Sequence, residues 1–410
     1  RHSTLPLARE RARTLDLNGA ALPWRTIAGE ECSAYWPAGT AAFHINADIA
    51  DAVVRYVDVT GDTEFEAGPG LEILVETARL WCSLGHHDRH GRFRLPGMTG
   101  PDEYSALADD NVYTNLMARR NLLAAADAAK QYTERASELG VSDAESAGWR
   151  DAGQAMTIPF DQARGVHAQA EGFTRHQAWD FARTPAGQYP LMLHFPYFDL
   201  YRKQVVKQAD LVLAMHLCGS AFTPEQKARN FEYYERLTVR DSSLSACTQA
   251  AIAAEVGHLE LAFDYLGEAA LMDLHDLEHN TRDGVHIASL AGTWVALVSG
   301  FGGLRDADGT FGFAPRLPAG LARLAFTLFI RGRRLRVEIT HAEARYALAD
   351  GDRLEIVHHG RPVSLSAGKP QARPIPAAPP RTRPSQPPGR APAHRKPVGS
   401  ANQESAISKS

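Results

Sequence analysis

Cysteine is scarce and scattered: four thiols, Cys32, Cys82, Cys218 and Cys247, occur in 410 residues, with no C-x-x-C pair among them. Neither a disulfide frame nor a cysteine zinc site is signalled, and buried free thiols are the expectation. No stretch approaches the ~18 to 20 consecutive apolar residues that a membrane-spanning helix needs, and the N-terminus lacks the charged-then-apolar signal pattern. A cytoplasmic chain with no membrane partner is expected. There is no G-x-S-x-G, no Walker A loop and no G-x-G-x-x-G, so serine hydrolysis, nucleotide binding and hydride transfer have no support. Metal signals are equally thin. His86-His87-Asp88-Arg89-His90 reads as a solvated loop because adjacent histidines point apart, and His275 and His279 lack the general base of H-E-x-x-H. No metal or organic cofactor is expected.

What is present is an ordinary globular composition, 44% hydrophobic and 22% charged, enough for one large or two ordinary domains. The formal charge of −4 averages two unlike parts. Residues 369–410 carry eight Lys and Arg against Glu404, a local charge of +7, which leaves −11 for the remainder. Ten of the 24 prolines lie between Pro370 and Pro397. Such a stretch lacks the apolar content to offset its ordering entropy, and residues 367–410 are expected to form a disordered basic tail. No aromatic residue is interleaved for base stacking and the body is acidic, so no nucleic-acid partner is expected.

From about Trp36 to Gly302 helical periodicity dominates. The segment around Ile45 to Val57 places Ile45, Ile49, Ala52, Val53 and Tyr56 on one face, with Asn46, Asp48, Asp51 and Arg55 elsewhere. Similar stripes recur at 72–84, 111–138, 204–217, 224–237, 243–256, 259–271 and 287–298. Successive helices with almost no alternating strands predict an all-α layer packed on itself. After Gly303 the pattern becomes short alternating runs at 311–314, 324–331, 334–341, 343–349 and 353–358, separated by turns at Arg331-Gly332, Asp350-Gly351 and Gly360-Arg361. These predict a small β-meander, with the domain boundary at Gly302/Gly303.

Three loops stand out chemically. Leu95-Pro96-Gly97-Met98-Thr99-Gly100-Pro101-Asp102-Glu103-Tyr104 is forced off a helical path by two glycines and two prolines. Its carboxylates either act as a burial-tuned general acid or merely cap the next helix and face solvent. The polar run Asp109 to Asn115 predicts a polar pocket beside it. Lys207-Gln208 can hold sugar hydroxyls or an acid, or form a charged solvent face. Asp283-Gly284-Val285-His286-Ile287-Ala288-Ser289 leads a Gly loop into a helix, where free N–H groups and the dipole suit an anion, although a lone His there is also a common structural residue.

Together, Phe43-His44-Ile45-Asn46-Ala47-Asp48, Gly100-Pro101-Asp102-Glu103-Tyr104, Lys207-Gln208-Ala209-Asp210, Asp241-Ser242-Ser243-Leu244-Ser245 and Asp283-Gly284-Val285-His286 through Thr293-Trp294 resemble the family 65 glycoside hydrolases. That family includes maltose, trehalose and kojibiose phosphorylases, and the resemblance spans about residues 1 to 365. It implies a mainly α chain: an (α/α)6 barrel over 1–302, incomplete at its start, followed by part of a C-terminal β-sandwich over 303–366. It also implies Glu103 as general acid, Lys207 and Gln208 as the grip on the glucosyl unit, and His286 with Ser289 as the phosphate loop. The implied partners are a disaccharide and inorganic phosphate as co-substrate, and a homodimer is compatible with it. The family's N-terminal β-sandwich, helical linker and Trp-Asp pair do not occur in these 410 residues, so a truncated start is expected. Arg240 stands where several members carry His.

An inverting hydrolase needs a second carboxylate to activate water, whereas phosphate is itself the nucleophile and needs donors. His286 in the place of such a base favours inverting phosphorolysis to β-glucose 1-phosphate. A hydrolase of the same substrates and a catalytically silent, truncated fragment are the alternatives.

Overall fold

The computed structural model describes residues 1–34, 36–307, 309–378 and 381–395. They fall into two compact units, one of residues 1–180 with 187–218, the other of 181–186 with the chain from 219 onward.

The first unit is built on helices α1 (Leu5–Thr14), α2 (His44–Thr60), α3 (Leu71–Leu84), α4 (Val112–Gln131), α5 (Asp143–Gln154) and α6 (Asp210–Leu217). Helix α4 packs against α2, α3, α5 and α6. Its buried Ala118, Ala125, Ala126 and Ala129 let neighbours approach closely on several sides, and their low side-chain entropy favours the helix. The Asn111 side chain caps its start by accepting from the Thr114 N–H at 2.9 Å. Trp81 of α3 is fully buried, with its indole N–H donated to Asn121 Oδ1 at 2.9 Å, so the ring is buried without an orphan donor.

Helix α2 is rotated from the expected stripe. Its buried face is Asn46, Ala47, Ala50, Asp51 and Val53, while Ala52 and Tyr56 are exposed. The polar pair goes inward because it has partners there. Asn46 accepts from the Leu22 N–H at 2.8 Å and donates to Phe43 O at 2.9 Å, and Asp51 pairs with Arg120 at 2.8 Å.

The second unit has helices α7 (Pro224–Glu235), α8 (Ser245–Val256), α9 (Leu259–Ala270) and α10 (Ile287–Val295). A capping box between Thr223 and Gln226 opens α7, and Gly257, at φ +99°, ends α8 in the left-handed conformation that glycine adopts without strain. Helix α8 is buried along most of its length and packs on α7, α9 and α10.

The strands are β1 (Leu304–Ala307), β2 (Thr310–Phe313), β3 (Leu324–Ile330), β4 (Arg333–Ile339), β5 (Glu343–Asp350), β6 (Arg353–His358), β7 (Arg361–Ser366) and β8 (Gln371–Pro374). They form two four-stranded sheets, ordered β8-β5-β4-β3 and β7-β6-β2-β1, antiparallel except where β6 meets β2. The β3–β4 turn is Arg331-Gly332, both residues at positive φ, as a two-residue hairpin requires. Tyr346 of one sheet donates to or accepts from His358 Nδ1 of the other at 2.8 Å. The expected meander is therefore two sheets; β1 and β8, of four residues each with charge or proline, and β7, which opens on Arg361-Pro362 straight after a turn, give no clear alternating pattern.

Helix gives way to strand at Gly302/Gly303, and by packing the helices after 219 and the strands form one compact unit. Arg316 donates to Glu255 O at 3.0 Å and the Ala319 N–H to Glu260 at 3.0 Å, tying loop to helix.

Within the stretch 367–410, expected to form a disordered tail, the described residues make specific contacts. Residues 371–374 pair with β5, and residues 381–395 lie against helices of the same unit. Arg383 and the Arg395 N–H converge on the fully buried Asp264 carboxylate at 2.7 and 2.8 Å, and Arg390 pairs with Asp241 at 2.8 Å. Gln386 donates to Glu235 at 3.0 Å. These polar groups answer buried carboxylates, which is why low hydrophobicity did not leave the segment solvated. Residues 379, 380 and 396–410 of that stretch lie outside the described residues.

Of the thiols, Cys218 and Cys247 are buried as expected, whereas Cys32 is exposed. Among the described residues no helix is long and apolar enough to cross a membrane, and no group of three His, Cys, Asp or Glu is placed to hold a metal ion.

Candidate active site

The loop from Leu95 to Asp110 is closed at its base by main-chain pairs. The Asp110 N–H donates to Leu95 O at 3.0 Å, and Met98 and Ala108 exchange N–H···O bonds of 2.9 Å. Asp110 is itself buried, accepting from the Leu95 N–H and Asn115 Nδ2 at 3.0 Å and pairing with Arg94. The polar run expected to form a pocket is therefore loop scaffolding, with Asn111 and Asn115 buried as well.

At the loop's tip two carboxylates are fully enclosed. Asp102 accepts from the Lys207 N–H at 2.8 Å, the Tyr104 N–H at 3.2 Å, Gln169 Nε2 at 2.7 Å and Ser105 Oγ at 3.1 Å. Asp210, at the start of α6, accepts from the Asp102 N–H and from Asn111 Nδ2, each at 2.7 Å. Gln169 joins the two, because its Oε1 accepts the Asp210 N–H at 3.2 Å. Burial pushes both carboxyl groups upward, and the nearby Asp102 charge raises Asp210 further. Gly100 is required here: a Cβ would lie 2.1 Å from Asp210 Oδ2 and 2.4 Å from Asn111 Nδ2.

This network sets the chain on either side of it. Glu103, directly after Asp102, turns its half-buried carboxylate to the Lys207 ammonium in a close ion pair. Its main-chain oxygen accepts from Tyr197 Oη at 2.6 Å. Gln208 Nε2 donates to Pro101 O at 2.7 Å. Glu103 and the adjacent pair Lys207-Gln208, which begins 104 positions later in sequence, thus meet at one place, and Asp102 is a tie between the two segments rather than a helix cap. Sequence reasoning passed over Gln169 and Tyr197, which lie in irregular stretches with no motif around them. A separate cavity of about 840 Å³ in this unit is lined by Arg9, Arg79, Glu76, Glu145 and His87, away from the Glu103 loop.

In the second unit His286 occupies the N-cap position of α10. Its Nδ1 meets Asp273 Oδ1 at 2.6 Å, and its N–H donates to Asp273 Oδ2 at 2.9 Å. The hydrogen bond from His286 holds the Asp273 carboxyl below its ordinary value, so the pair favours an ionised acid facing the imidazole. With the positive end of α10 behind it, the imidazole edge is suited to an anion. Ser289 does not share that edge. It is fully buried and its hydroxyl donates to Ala269 O at 3.1 Å, tying α10 to α9. The expected phosphate contact from Ser289 is thus replaced by a packing role. Arg240 is buried against Glu268 in a two-pronged pair of 3.0 and 3.1 Å, and cannot serve as a free cation.

Residues 1–295 match the glycosyl hydrolase family 65 central catalytic domain, and residues 304–365 match the family 65 C-terminal domain. An uncharacterized glycosyl hydrolase of Mycobacterium leprae is 58% identical over 402 residues, covering 97% of this chain and 50% of that protein. An alpha,alpha-trehalose phosphorylase of Thermoanaerobacter brockii is 41% identical over 379 residues, covering 90% of this chain and 49% of that protein. A solved structure from the human microbiome, provisionally named a kojibiose phosphorylase, superposes with a TM-score of 0.83 at 27% identity, covering 91% of this chain and 52% of that one. The chain spans about half the length of the curated relatives it matches. Its fold class is the expected one, an (α/α)6 barrel followed by a β domain. By the extent of both matches, the chain belongs to glycoside hydrolase family 65.

Proposed function

We propose that this protein carries out inverting phosphorolysis of an α-linked glucose disaccharide of the trehalose, maltose or kojibiose type. An oxygen of inorganic phosphate attacks C1 of the glucosyl unit from the face opposite the leaving group. The C1–O bond breaks, and Glu103, which takes up a proton from solvent once Lys207 has left it, donates that proton to the departing oxygen; the products are β-glucose 1-phosphate and a free sugar. Lys207 and Gln208 hold the glucosyl unit, with the Lys207 ammonium exchanging its contact with Glu103 for a sugar hydroxyl as substrate enters. His286 fixes phosphate. Inorganic phosphate is then a co-substrate, and no organic cofactor or metal is invoked.

The observation that carries the choice of phosphate is the His286–Asp273 pair at the start of α10, since an imidazole braced by a carboxylate and a helix dipole attracts an anionic nucleophile. The trehalose, maltose and kojibiose phosphorylases among the relatives support the same reading. A second reading, hydrolysis of the same disaccharides, is favoured by the glycosyl hydrolase name of the mycobacterial relatives. The two separate on one measurement. The protein is incubated with trehalose, maltose, kojibiose and nigerose, with and without phosphate, and β-glucose 1-phosphate and glucose are followed. Phosphate-dependent release of β-glucose 1-phosphate is expected; sugar release indifferent to phosphate selects hydrolysis, and no release from any of the four overturns both.

A further inference from the structure

The second unit contains a cavity of about 290 Å³ where the start of α7 and the end of α8 meet the strand β1 and the loop after β2. Four cations line it, Lys227, Arg305, Arg316 and Arg381, against one lining acid, Glu255. Both Glu255 oxygens are engaged, Oε1 by Lys227 Nζ at 2.6 Å and Oε2 by Arg305. Its burial would raise its pKa, but the charges of Arg305 and Lys227 hold it down to about 2, so it is fully ionised and still supplies a single negative charge. Arg316 reaches only the main-chain oxygen of Glu255, at 3.0 Å, and the nearest acid to Arg381 is Glu232 at 3.9 Å.

The lining therefore carries three more positive than negative charges, or two more when Glu232 is counted against Arg381, and the excess lies partly out of water. Lys227 is 7% exposed, and the Nε–H groups of Arg305 and Arg316 are buried with no acceptor. Buried donors on charged groups without acceptors are rare because each forfeits its hydration. Burial lowers the affinity of Arg316 for its proton despite the opposing charge of Glu255. Structural bracing of Glu255 accounts for Lys227 and Arg305 but not for Arg316 with its open Nε–H, nor for the open Nε–H of Arg305, and it leaves Arg381 only the distant Glu232. Pro224, the first residue of α7, also lines the cavity, so the positive end of a twelve-residue helix adds to the same field.

We propose that this cavity is an oxyanion-binding site for a phosphate group, free or carried on a small sugar, distinct from the His286 site and formed by Lys227, Arg305, Arg316 and Arg381. Planar guanidinium groups suit a phosphate's several oxygens, and the volume holds a phosphate with a small attached group. Arg381 comes from the Pro- and Arg-rich segment, so that segment supplies one wall. Glu255 stays in place as the spacer that orients Lys227 and Arg305.

Calorimetric titration of the protein with inorganic phosphate and, separately, with glucose 6-phosphate tests it, in wild type, His286→Ala, Arg316→Gln and Arg381→Ser. Binding of at least one probe is expected to persist in His286→Ala and to weaken by about tenfold or more in Arg316→Gln and Arg381→Ser, the loss expected for one charged hydrogen bond. Arg381 sits at the exposed rim, so its variant reads the site even where Arg316→Gln disturbs folding. Equal affinity for both probes assigns the free ion; preference for the ester assigns a sugar phosphate. Loss of all binding in His286→Ala, or wild-type affinity for both probes in Arg381→Ser, overturns the proposal. Neither result touches the phosphorolysis reading, which stands or falls on phosphate-dependent cleavage.

Discussion

The main-chain N–H of Lys207 donates to the buried carboxylate of Asp102 at 2.8 Å, so the residue before Glu103 holds the residue that pairs with Glu103. Asp102 is a positioning residue on this geometry. Replacing it with Asn puts an NH2 group opposite either Gln169 Nε2 and Ser105 Oγ or the two main-chain donors. One or two buried donors lose their acceptor, at about 1–3 kcal/mol each. Asp102→Asn is expected to lower the urea midpoint and to cut kcat by about tenfold or more, with a smaller change in disaccharide KM, because the acid is displaced rather than removed. Glu103→Gln should differ: stability near wild type and turnover nearly abolished. Equal stability losses in the two variants would remove the distinction drawn here.

The Asp102–Asp210 pair also predicts a pH dependence. Both carboxyl groups are raised in the folded state, chiefly by burial, so the native protein holds their protons more tightly than the unfolded chain does. Their favourable contribution is complete below the ordinary carboxylate value of about 4 and is lost as pH rises through the raised folded values. Asp210→Asn removes one of the titrations. Its stability relative to wild type should therefore improve as pH is raised from about 4 towards 7, whatever the fixed cost of the amide. Urea midpoints of the two proteins across that range give the answer; a constant difference would show that Asp210 does not titrate there.

Much of this site was legible before any coordinates because its residues sit in loops whose glycines and prolines have no helical purpose. Gly100 illustrates why: the residue is fixed by a contact with Asp210 and Asn111, 110 and 11 positions away. Helix α2 was legible as a helix but not in its orientation, since periodicity cannot say that Asn46 and Asp51 find partners inside. The segment 381–395 was misread for the same reason. Composition shows that it has little apolar area, but not that Asp264, Asp241 and Glu235 wait for its cations and amide. Periodicity likewise puts Ser289 in α10 without showing that its hydroxyl turns to Ala269 O.

Gly100→Ala makes a steric test of the loop. The added methyl would meet Asp210 Oδ2 at 2.1 Å and Asn111 Nδ2 at 2.4 Å, the two ends of a buried hydrogen bond. Overpacking and loss of the Asp210–Asn111 bond together predict a destabilisation of about 3 kcal/mol. Gly148→Ala is the control: it lies inside α5 with nothing within 4 Å of a new Cβ and should be neutral or gain up to about 1 kcal/mol. Thermal unfolding of both variants should place them on opposite sides of wild type or leave only the first displaced.

His286 and Asp273 should act as a unit towards phosphate. Asp273→Asn removes the charge facing the imidazole and one of the two acceptors that hold residue 286, so phosphate KM is expected to rise by about tenfold with little change in disaccharide KM. The double variant with His286→Ala should be little worse than His286→Ala alone, because most of the effect of Asp273 on phosphate passes through the ring and only its bond to the main-chain N–H of residue 286 is left to lose. Additive losses would instead mean that Asp273 works independently.

The C-terminal segment makes the last prediction. Asp264 is fully buried, and its carboxylate partners, Arg383, the Arg395 N–H and His394, all come from residues 383–395. Ending the chain at residue 380 leaves that carboxylate enclosed or newly wetted without a countercharge, a change that costs about 3–5 kcal/mol when one partner of a buried pair is deleted. A solvated tail would cost nothing. The carboxylate should also be the main reason for the loss, so Asp264→Asn is expected to harm the full chain by about 2 kcal/mol or more yet to recover part of the stability of the shortened one. Urea unfolding of the four proteins in this cycle decides it: a coupling near zero between truncation and Asp264→Asn would mean that the segment only lies over the surface, whereas coupling of about 2 kcal/mol makes it part of the fold.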